Sequence, residues 1–220
     1  MDRAGRPQPA ADRVRFVHAI EVDRSLEPHL RNRLGGASNV NLVFGDAIGL
    51  PLAELEPPPG KLVANLPYAI ATPLCVESLD GLPSVETWCV MVQREVANRF
   101  VAAPGTRAYG AVSVLIQLTS ERIGFHRVAR TCFRPQPNVD SALVALRRRR
   151  RWGPEYAQLK RVVQGAFSHR RKTLANALEL AGVATRGHAV AALQELGHAE
   201  DARAEAVAPD EFMRLAELLA

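Results

Sequence analysis

Short apolar segments alternate with segments of helical pattern through the first two thirds of the chain, and this alternation constrains the fold more than any other feature. The apolar segments are rich in β-branched residues, as strands are. Strands that alternate with helices in this way predict an α/β sheet with helices on its faces. The predicted strands are Arg15–Val22, Asn41–Phe44, Lys61–Ala64, Thr87–Val92, Ile123–Val128 and Ala142–Arg147. The predicted helices are Ser25–Leu34, Thr72–Leu79, Arg94–Ala102 and Gly110–Ser120.

The pattern becomes entirely helical after the arginine run Arg147–Arg151. Gly153, Gly182 and Gly197 separate the helical segments, as expected of residues that end helices. We therefore predict two domains, an α/β domain over residues 1–150 and a small helical domain over 151–220. The predicted helices of the second domain are Pro154–Phe167, Arg170–Ala181, Arg186–Leu196 and Pro209–Leu219.

Composition excludes several classes of protein. No apolar run approaches the roughly 20 residues that span a bilayer, and the N-terminus lacks the apolar core of a signal peptide. The three cysteines, Cys75, Cys89 and Cys132, lack metal-ligand spacing and are expected to be small buried core residues in a reducing cytosol. These features predict a cytoplasmic protein with no membrane partner and no metal.

The charge balance favours a polyanionic partner but does not identify one. The net charge is +5 and the isoelectric point is about 9.6, with only 3 lysines among the 28 basic residues. The planar fork of arginine suits phosphate recognition. A GC-rich genome, whose codons favour arginine over lysine, explains the same excess equally well.

Acidic residues follow two of the predicted strands, where open α/β sheets bind ligands. Glu21 could accept both hydroxyls of a ribose, and Asp46 could accept from an adenine amino group. A solvated carboxylate and a Gly-Asp turn explain the two residues equally simply.

The segment Asn65-Leu66-Pro67-Tyr68 directly follows an apolar strand and is more specific. A tight turn with an exposed tyrosine is one interpretation. The other is the pocket of an amino-group methyltransferase, in which Asn65 and the Leu66 carbonyl accept hydrogen bonds from an exocyclic amine and Tyr68 stacks on the base.

The chain resembles the ribosomal RNA adenine dimethyltransferases from about residue 10 to residue 220, and its small-subunit (16S rRNA) enzymes most closely. The drug-resistance methyltransferases that act on large-subunit RNA match residues 104–110 and the helical tail less well. The segments that carry the resemblance are Asn65–Leu74, Met91–Gly110, Phe133–Leu143, Ala166–Leu178 and Ala202–Leu215.

The resemblance implies a Rossmann-like class I methyltransferase that dimethylates two adjacent adenines in the 3′-terminal hairpin of 16S rRNA. It makes Glu21 the ribose ligand and Asp46 the adenine-side ligand of S-adenosylmethionine. It places Asn65 where donor and target amine meet, with Leu66 and Pro67 in the same catalytic segment. Tyr68 and Phe133 hold the flipped adenine between them.

RNA contacts are expected from two basic runs, Arg147–Arg151 and His169–Lys172. The partner implied is 16S rRNA or an immature small subunit, bound by a monomer. A solvated linker or basic surface is the alternative for both runs. The residues we select as phosphate contacts are Arg147, Arg148, Arg170, Arg171 and Lys172.

The chain departs from the family at the cofactor's methionine end. Family members carry a GxGxG loop after their first strand, yet no two of the 15 glycines here stand two positions apart. The first strand is missing too, and because it is central we expect its neighbours to have exposed edges. A truncated gene or misassigned start explains this, and we favour that explanation. The alternative is a genuine short form, a non-catalytic RNA-binding assembly factor.

Overall fold

The computed structural model describes residues 13–34, 36–169 and 171–220, and of Tyr68 only the backbone. The chain divides into two compact units, the first ending at Gly60 and the second spanning Lys61–Ala220. The first unit contains β1 (Val17–Glu21), α1 (Glu27–Leu34) and β2 (Val40–Phe44). The second contains β3 (Lys61–Asn65), α2 (Tyr68–Gly81), β4 (Thr87–Gln93), α3 (Arg94–Phe100), α4 (Ala111–Thr119), β5 (Ser120–Val128), β6 (Ser141–Arg148), α5 (Glu155–Phe167), α6 (Leu174–Leu180), α7 (Arg186–Glu195) and α8 (Pro209–Leu218).

Every predicted strand and helix is present, which confirms the α/β class. Two helices begin four residues away from their predicted starts. Helix α2 begins at Tyr68, four residues before the predicted start, because the Pro67 carbonyl accepts the amides of Ile70 and Ala71. Helix α6 begins at Leu174, because Thr173 is an extended N-cap whose hydroxyl accepts the Asn176 amide.

The sheet of the first unit has two strands. β1 and β2 pair in parallel, with Val17 opposite Val40 and Glu21 opposite Phe44. None of the described residues of this unit is fully buried. The buried core of the protein therefore lies in the second unit.

The sheet of the second unit has four strands in the order β3-β4-β6-β5. β3 and β4 pair in parallel, whereas β6 pairs antiparallel with both of its neighbours. Strand β4 alternates strictly, with Trp88, Val90 and Val92 buried and Cys89 and Met91 half-buried. One face of this sheet therefore carries the core.

Strand β3 is an edge strand among the described residues, with β4 as its only partner. Its side chains alternate between exposed and half-buried, and Val63 is 75% exposed. The apolar composition of β3 indicates a buried strand, yet none of its residues is fully buried. Within the described residues, the free edge of β3 agrees with the expectation of exposed strand edges.

The C-terminal helices end as their glycines predict. Gly182 and Gly197 have positive φ values of 64° and 81°. After α6 the Val183 amide donates to Leu178, and after α7 the His198 amide donates to Leu193, which is the Schellman pattern. Only glycine adopts this backbone conformation without strain.

The segment before α4 is fastened to the segment before α8. The buried Tyr109 hydroxyl donates to the Val207 carbonyl at 2.9 Å, and the Gly105 amide donates to the Glu205 carbonyl at 2.7 Å. Both segments belong to the second unit. The domain boundary at residue 150 stays a prediction.

The cysteines differ in exposure. Cys75 is buried, and burial raises its pKa to about 12, so its thiol is inert. Cys89 is half-buried, whereas Cys132 is exposed, so the expectation of a core cysteine is wrong at 132. Within the described residues, no helix combines the length and apolarity that a membrane span requires.

Candidate active site

Two carboxylates stand at the carboxyl ends of neighbouring strands in the first unit. Glu21 is the last residue of β1, and Asp46 lies two residues beyond the end of β2. Because Glu21 is paired with Phe44 in the parallel register, both acidic residues follow the same edge of the two-stranded sheet. This is the placement that the strand ends predicted.

Local turns fix both carboxylates. Glu21 is half-buried, and its Oε1 accepts the Asp23 amide at 2.8 Å. Asp23 in turn accepts the Ser25 amide at 2.8 Å, and this bonding lowers the pKa of Asp23. Asp46 is exposed, and its Oδ1 accepts the Ile48 amide at 3.0 Å. A carboxylate has about four acceptor positions, so each can still accept from a ligand.

The Asn65–Tyr68 segment forms a strand-to-helix junction in the second unit. Asn65 ends β3 opposite Met91, and the Leu66 amide donates to the Met91 carbonyl at 3.1 Å. The Leu66 side chain is buried, and Pro67 caps α2. The exposed Asn65 side chain therefore projects from a backbone that is held on both sides.

The two predicted stacking residues are described to different extents. Tyr68 begins α2, but its side chain lies outside the described part of the chain, so its role stays a prediction. Phe133 is half-buried at the end of a 3₁₀ turn over Arg130–Cys132, and its amide donates to the Arg130 carbonyl at 3.3 Å.

A charged cluster that the sequence did not reveal, formed by Arg94 and Asp140, holds the loop that contains Phe133. Asp140 Oδ2 accepts from Arg94 Nη1 at 3.0 Å, and Asp140 Oδ1 accepts the Arg130 amide at 3.1 Å. The Arg94 amide donates to the Asp140 carbonyl at 3.0 Å. No spacing signal could have revealed this pair, because Arg94 and Asp140 stand 46 positions apart.

Arg148 requires a correction, because its side chain faces the core and not the solvent. The residue is 9% exposed and packs over the Trp88 ring, 4.8 Å from its centroid. Its guanidinium donates to the carbonyls of Val85, Leu79 and Leu82 at 2.6, 2.8 and 3.0 Å. A side chain that makes these three hydrogen bonds and packs on this ring is a structural anchor, and we withdraw Arg148 as a phosphate contact.

The other basic residues selected for RNA lie on the surface where the structure describes them. Arg147 is 60% exposed and lies 3.7 Å from Glu121. Arg171 and Lys172 are exposed between α5 and α6. Arg170 lies outside the described residues. The three exposed side chains, Arg147, Arg171 and Lys172, are therefore accessible to a polyanion.

Residues 107–110 line a pocket of about 670 Å³ at the start of α4. Arg99 and Glu95 of α3 also line it and form an ion pair at 2.5 Å, and Phe167 of α5 completes it. Residues 107–110, which belong to the segment that the drug-resistance methyltransferases match less well, thus line a pocket. Among the described residues, no group of three or more histidine, cysteine or acidic side chains is arranged to hold a metal ion.

Sequence comparison identifies relatives over nearly the whole chain. Residues 8–220 match the family described as ribosomal RNA adenine dimethylase. The chain is 45% identical over 205 residues to the ribosomal RNA small subunit methyltransferase A of Rubrobacter xylanophilus. That alignment covers 93% of this chain and 77% of the relative.

Solved structures share the fold. A dimethyladenosine transferase from Plasmodium falciparum matches with a TM-score of 0.72 at 22% identity, over 91% of this chain and 80% of that one. The 23S rRNA methyltransferase ErmE matches with a TM-score of 0.64 at 29% identity, over 95% and 84%. These neighbours confirm the class I methyltransferase fold. The chain belongs to the ribosomal RNA adenine dimethylase family.

Proposed function

We propose that this protein transfers methyl groups from S-adenosylmethionine to the N6 amines of two adjacent adenines in the 3′-terminal hairpin of 16S rRNA. The observation that carries the proposal is the Asn65–Tyr68 junction, in a chain that belongs to this family. A small-subunit substrate is favoured because the named small-subunit relative is 45% identical, against 29% for the 23S enzyme.

The acidic pair of the first unit suits the nucleoside part of S-adenosylmethionine. When bound, this cofactor supplies a methyl group on an electrophilic sulfonium. Glu21 would accept the ribose hydroxyls and Asp46 the adenine amino group, since both are anchored carboxylates with remaining acceptor capacity. No GxGxG loop is present to hold the methionine end.

The target-side residues act on the amine and on the base. Asn65 Oδ1 and the Leu66 carbonyl accept the N6 hydrogens, which orients the nitrogen lone pair and stabilises the charge that develops on the nitrogen. Tyr68 and Phe133 stack on the flipped base and offset part of the cost of unstacking it. Positioning supplies most of the acceleration, so no strong general base is required.

RNA affinity comes from exposed cations. Arg147, Arg171 and Lys172 contact phosphates, and Arg170 belongs to the same basic run. The helical domain over 151–220 supplies most of these contacts. The protein acts in the cytoplasm, as a monomer, on an immature small subunit.

Methyl incorporation tests the proposal directly. With labelled S-adenosylmethionine and unmethylated small ribosomal subunits, we expect label at the N6 positions of the two adjacent adenines. Label elsewhere, or none, contradicts the proposed activity. Salt-sensitive RNA binding without incorporation would instead support a non-catalytic assembly factor.

Replacing Asp46 by alanine should weaken S-adenosylmethionine binding about tenfold. A hydrogen bond to a charged group contributes about 1.5 kcal/mol, which corresponds to roughly that factor. Calorimetric titration measures it, and Asp201→Ala, which removes another exposed carboxylate, should bind like the wild type. Equal affinity of the Asp46 variant and the wild type would exclude Asp46 as a ligand.

A further inference from the structure

Asp140 joins both ends of the loop that carries Phe133. Its Oδ1 accepts the Arg130 amide at 3.1 Å, so residues 130 and 140 are tied together across the base of the loop. Arg130 Nη1 also donates to the Asn138 carbonyl at 3.4 Å within the loop. The loop between β5 and β6 that contains Phe133 is therefore closed by hydrogen bonds at its base.

The same residue fastens this loop to the start of α3. Asp140 accepts from the Arg94 side chain with Oδ2 and from the Arg94 amide with its carbonyl, both at 3.0 Å. Arg94 directly follows β4, and the Met91 carbonyl of β4 accepts the Leu66 amide. A short path of backbone and side-chain bonds thus runs from the Asn65–Tyr68 junction to the loop of Phe133.

We infer that Asp140 is a positioning residue, which holds Phe133 where the target adenine stacks. The inference rests on the proposed function, because it assumes that Phe133 contacts the base. Asp140 does not touch the substrate. It acts by keeping two parts of the base-binding site, on β3 and on the loop, at a fixed separation.

The cluster is better suited to positioning than to stabilising the fold. The side chains of Asp140 and Arg94 are 35% and 49% exposed, and ion pairs this accessible contribute little to stability. Misplacement of a substrate-contacting group by about 1 Å can cost about 100-fold in rate. Loss of the clamp should therefore alter base stacking far more than folding.

A fluorescent base tests the inference. The probe is the 3′-terminal hairpin of 16S rRNA with 8-vinyladenine, a fluorescent adenine that keeps the N6 amine, in place of one of the two adjacent adenines. Stacking on Tyr68 and Phe133 should quench the base bound to wild-type protein, and Phe133→Ala should lose the part of the quenching that Phe133 contributes. Asp140→Ala should lose it to the same degree, and the double variant should be no different from either single variant.

Three further measurements distinguish a positioning role of Asp140 from a general loss of folded structure: hairpin affinity, melting temperature and the quenching of a conservative variant. Hairpin affinity by anisotropy should fall no further in Asp140→Ala than in Phe133→Ala, since phosphate contacts are untouched. The melting temperature should stay close to the wild-type value. Asp140→Asn should recover part of the quenching, because its amide oxygen can still accept the Arg130 amide. Asp201→Ala, an exposed aspartate elsewhere, should quench like the wild type.

The outcomes distinguish the inference from the proposed function. If Phe133→Ala loses quenching and Asp140→Ala does not, the positioning role is wrong and the proposed function stands. Additive losses in the double variant also overturn it, because Asp140 would then act by another route. If wild type and Phe133→Ala give the same signal, Phe133 does not stack on the base and the inference is wrong, whereas methyl incorporation into small subunits decides the proposed function separately.

Discussion

Replacing Arg148 by methionine is expected to lower the free energy of unfolding by about 3 kcal/mol, because three buried carbonyls lose a charged donor and only that of Leu82 also accepts the Val85 amide. The guanidinium donates to Leu79 in the last turns of α2 and to Leu82 and Val85 in the link to β4. A buried acceptor without a partner costs about 1–3 kcal/mol. Methionine fills most of the volume, so the loss reports on hydrogen bonding.

Chemical denaturation and thermal melting measure this loss. For a chain of this size, about 3 kcal/mol corresponds to a melting temperature about 6–12 °C lower. The matched control is Arg147→Met, since Arg147 is the neighbouring residue, is 60% exposed and has a 3.7 Å contact to Glu121. We expect that control within about 0.5 kcal/mol of wild type. An Arg148→Met protein as stable as the control would refute the anchoring role.

Lysine at position 148 is an instructive intermediate. It keeps the charge but cannot present donors in the planar fork that reaches three carbonyls. Arg148→Lys should therefore recover only part of the lost stability. Full recovery would show that the charge, and not the arrangement of the donors, is what the site requires.

The sequence predicted the strands and helices because each carries its own periodicity. In β4 the apolar run Trp88–Val92 is a local signal of a strand, and the alternation of the strand buries Trp88, Val90 and Val92. The same rule applied to β6 places Arg148 on the face of Val144 and Leu146, both of which are buried. The basic run concealed this signal, since a row of arginines is usually a surface feature.

Other features depend on which segments meet, and no local pattern reports that. The apolar composition of β3 indicates burial, yet burial requires other elements that pack against the strand, and among the described residues Val63 is 75% exposed. The clamp of Asp140 and Arg94 depends on the antiparallel register that sets Gln93 opposite Ser141. The placement of Glu21 and Asp46 was predictable, because both lie at the carboxyl ends of consecutive parallel strands.

The largest effect on catalysis is expected at Asn65. Its side chain is exposed at the end of β3, whereas the backbone beside it is held by the Leu66–Met91 hydrogen bond and by the buried Leu66 side chain. Asn65→Ala removes one of the two acceptors that we propose for the target amine, without disturbing this backbone. Loss of one preorganised hydrogen-bonding group costs about 100- to 1,000-fold in rate.

Single-turnover methyl transfer to unmethylated small subunits measures the effect. We expect Asn65→Ala to lower the rate by that factor at unchanged RNA affinity, because Asn65 contacts the amine and not a phosphate. Asn98→Ala, the same change at an exposed position of α3, should keep wild-type activity. Asn65→Asp retains an acceptor and should be more active than the alanine variant. A rate for Asn65→Ala within about threefold of wild type would remove Asn65 from the catalytic site, and the proposed orientation of the amine would then rest on the Leu66 carbonyl alone.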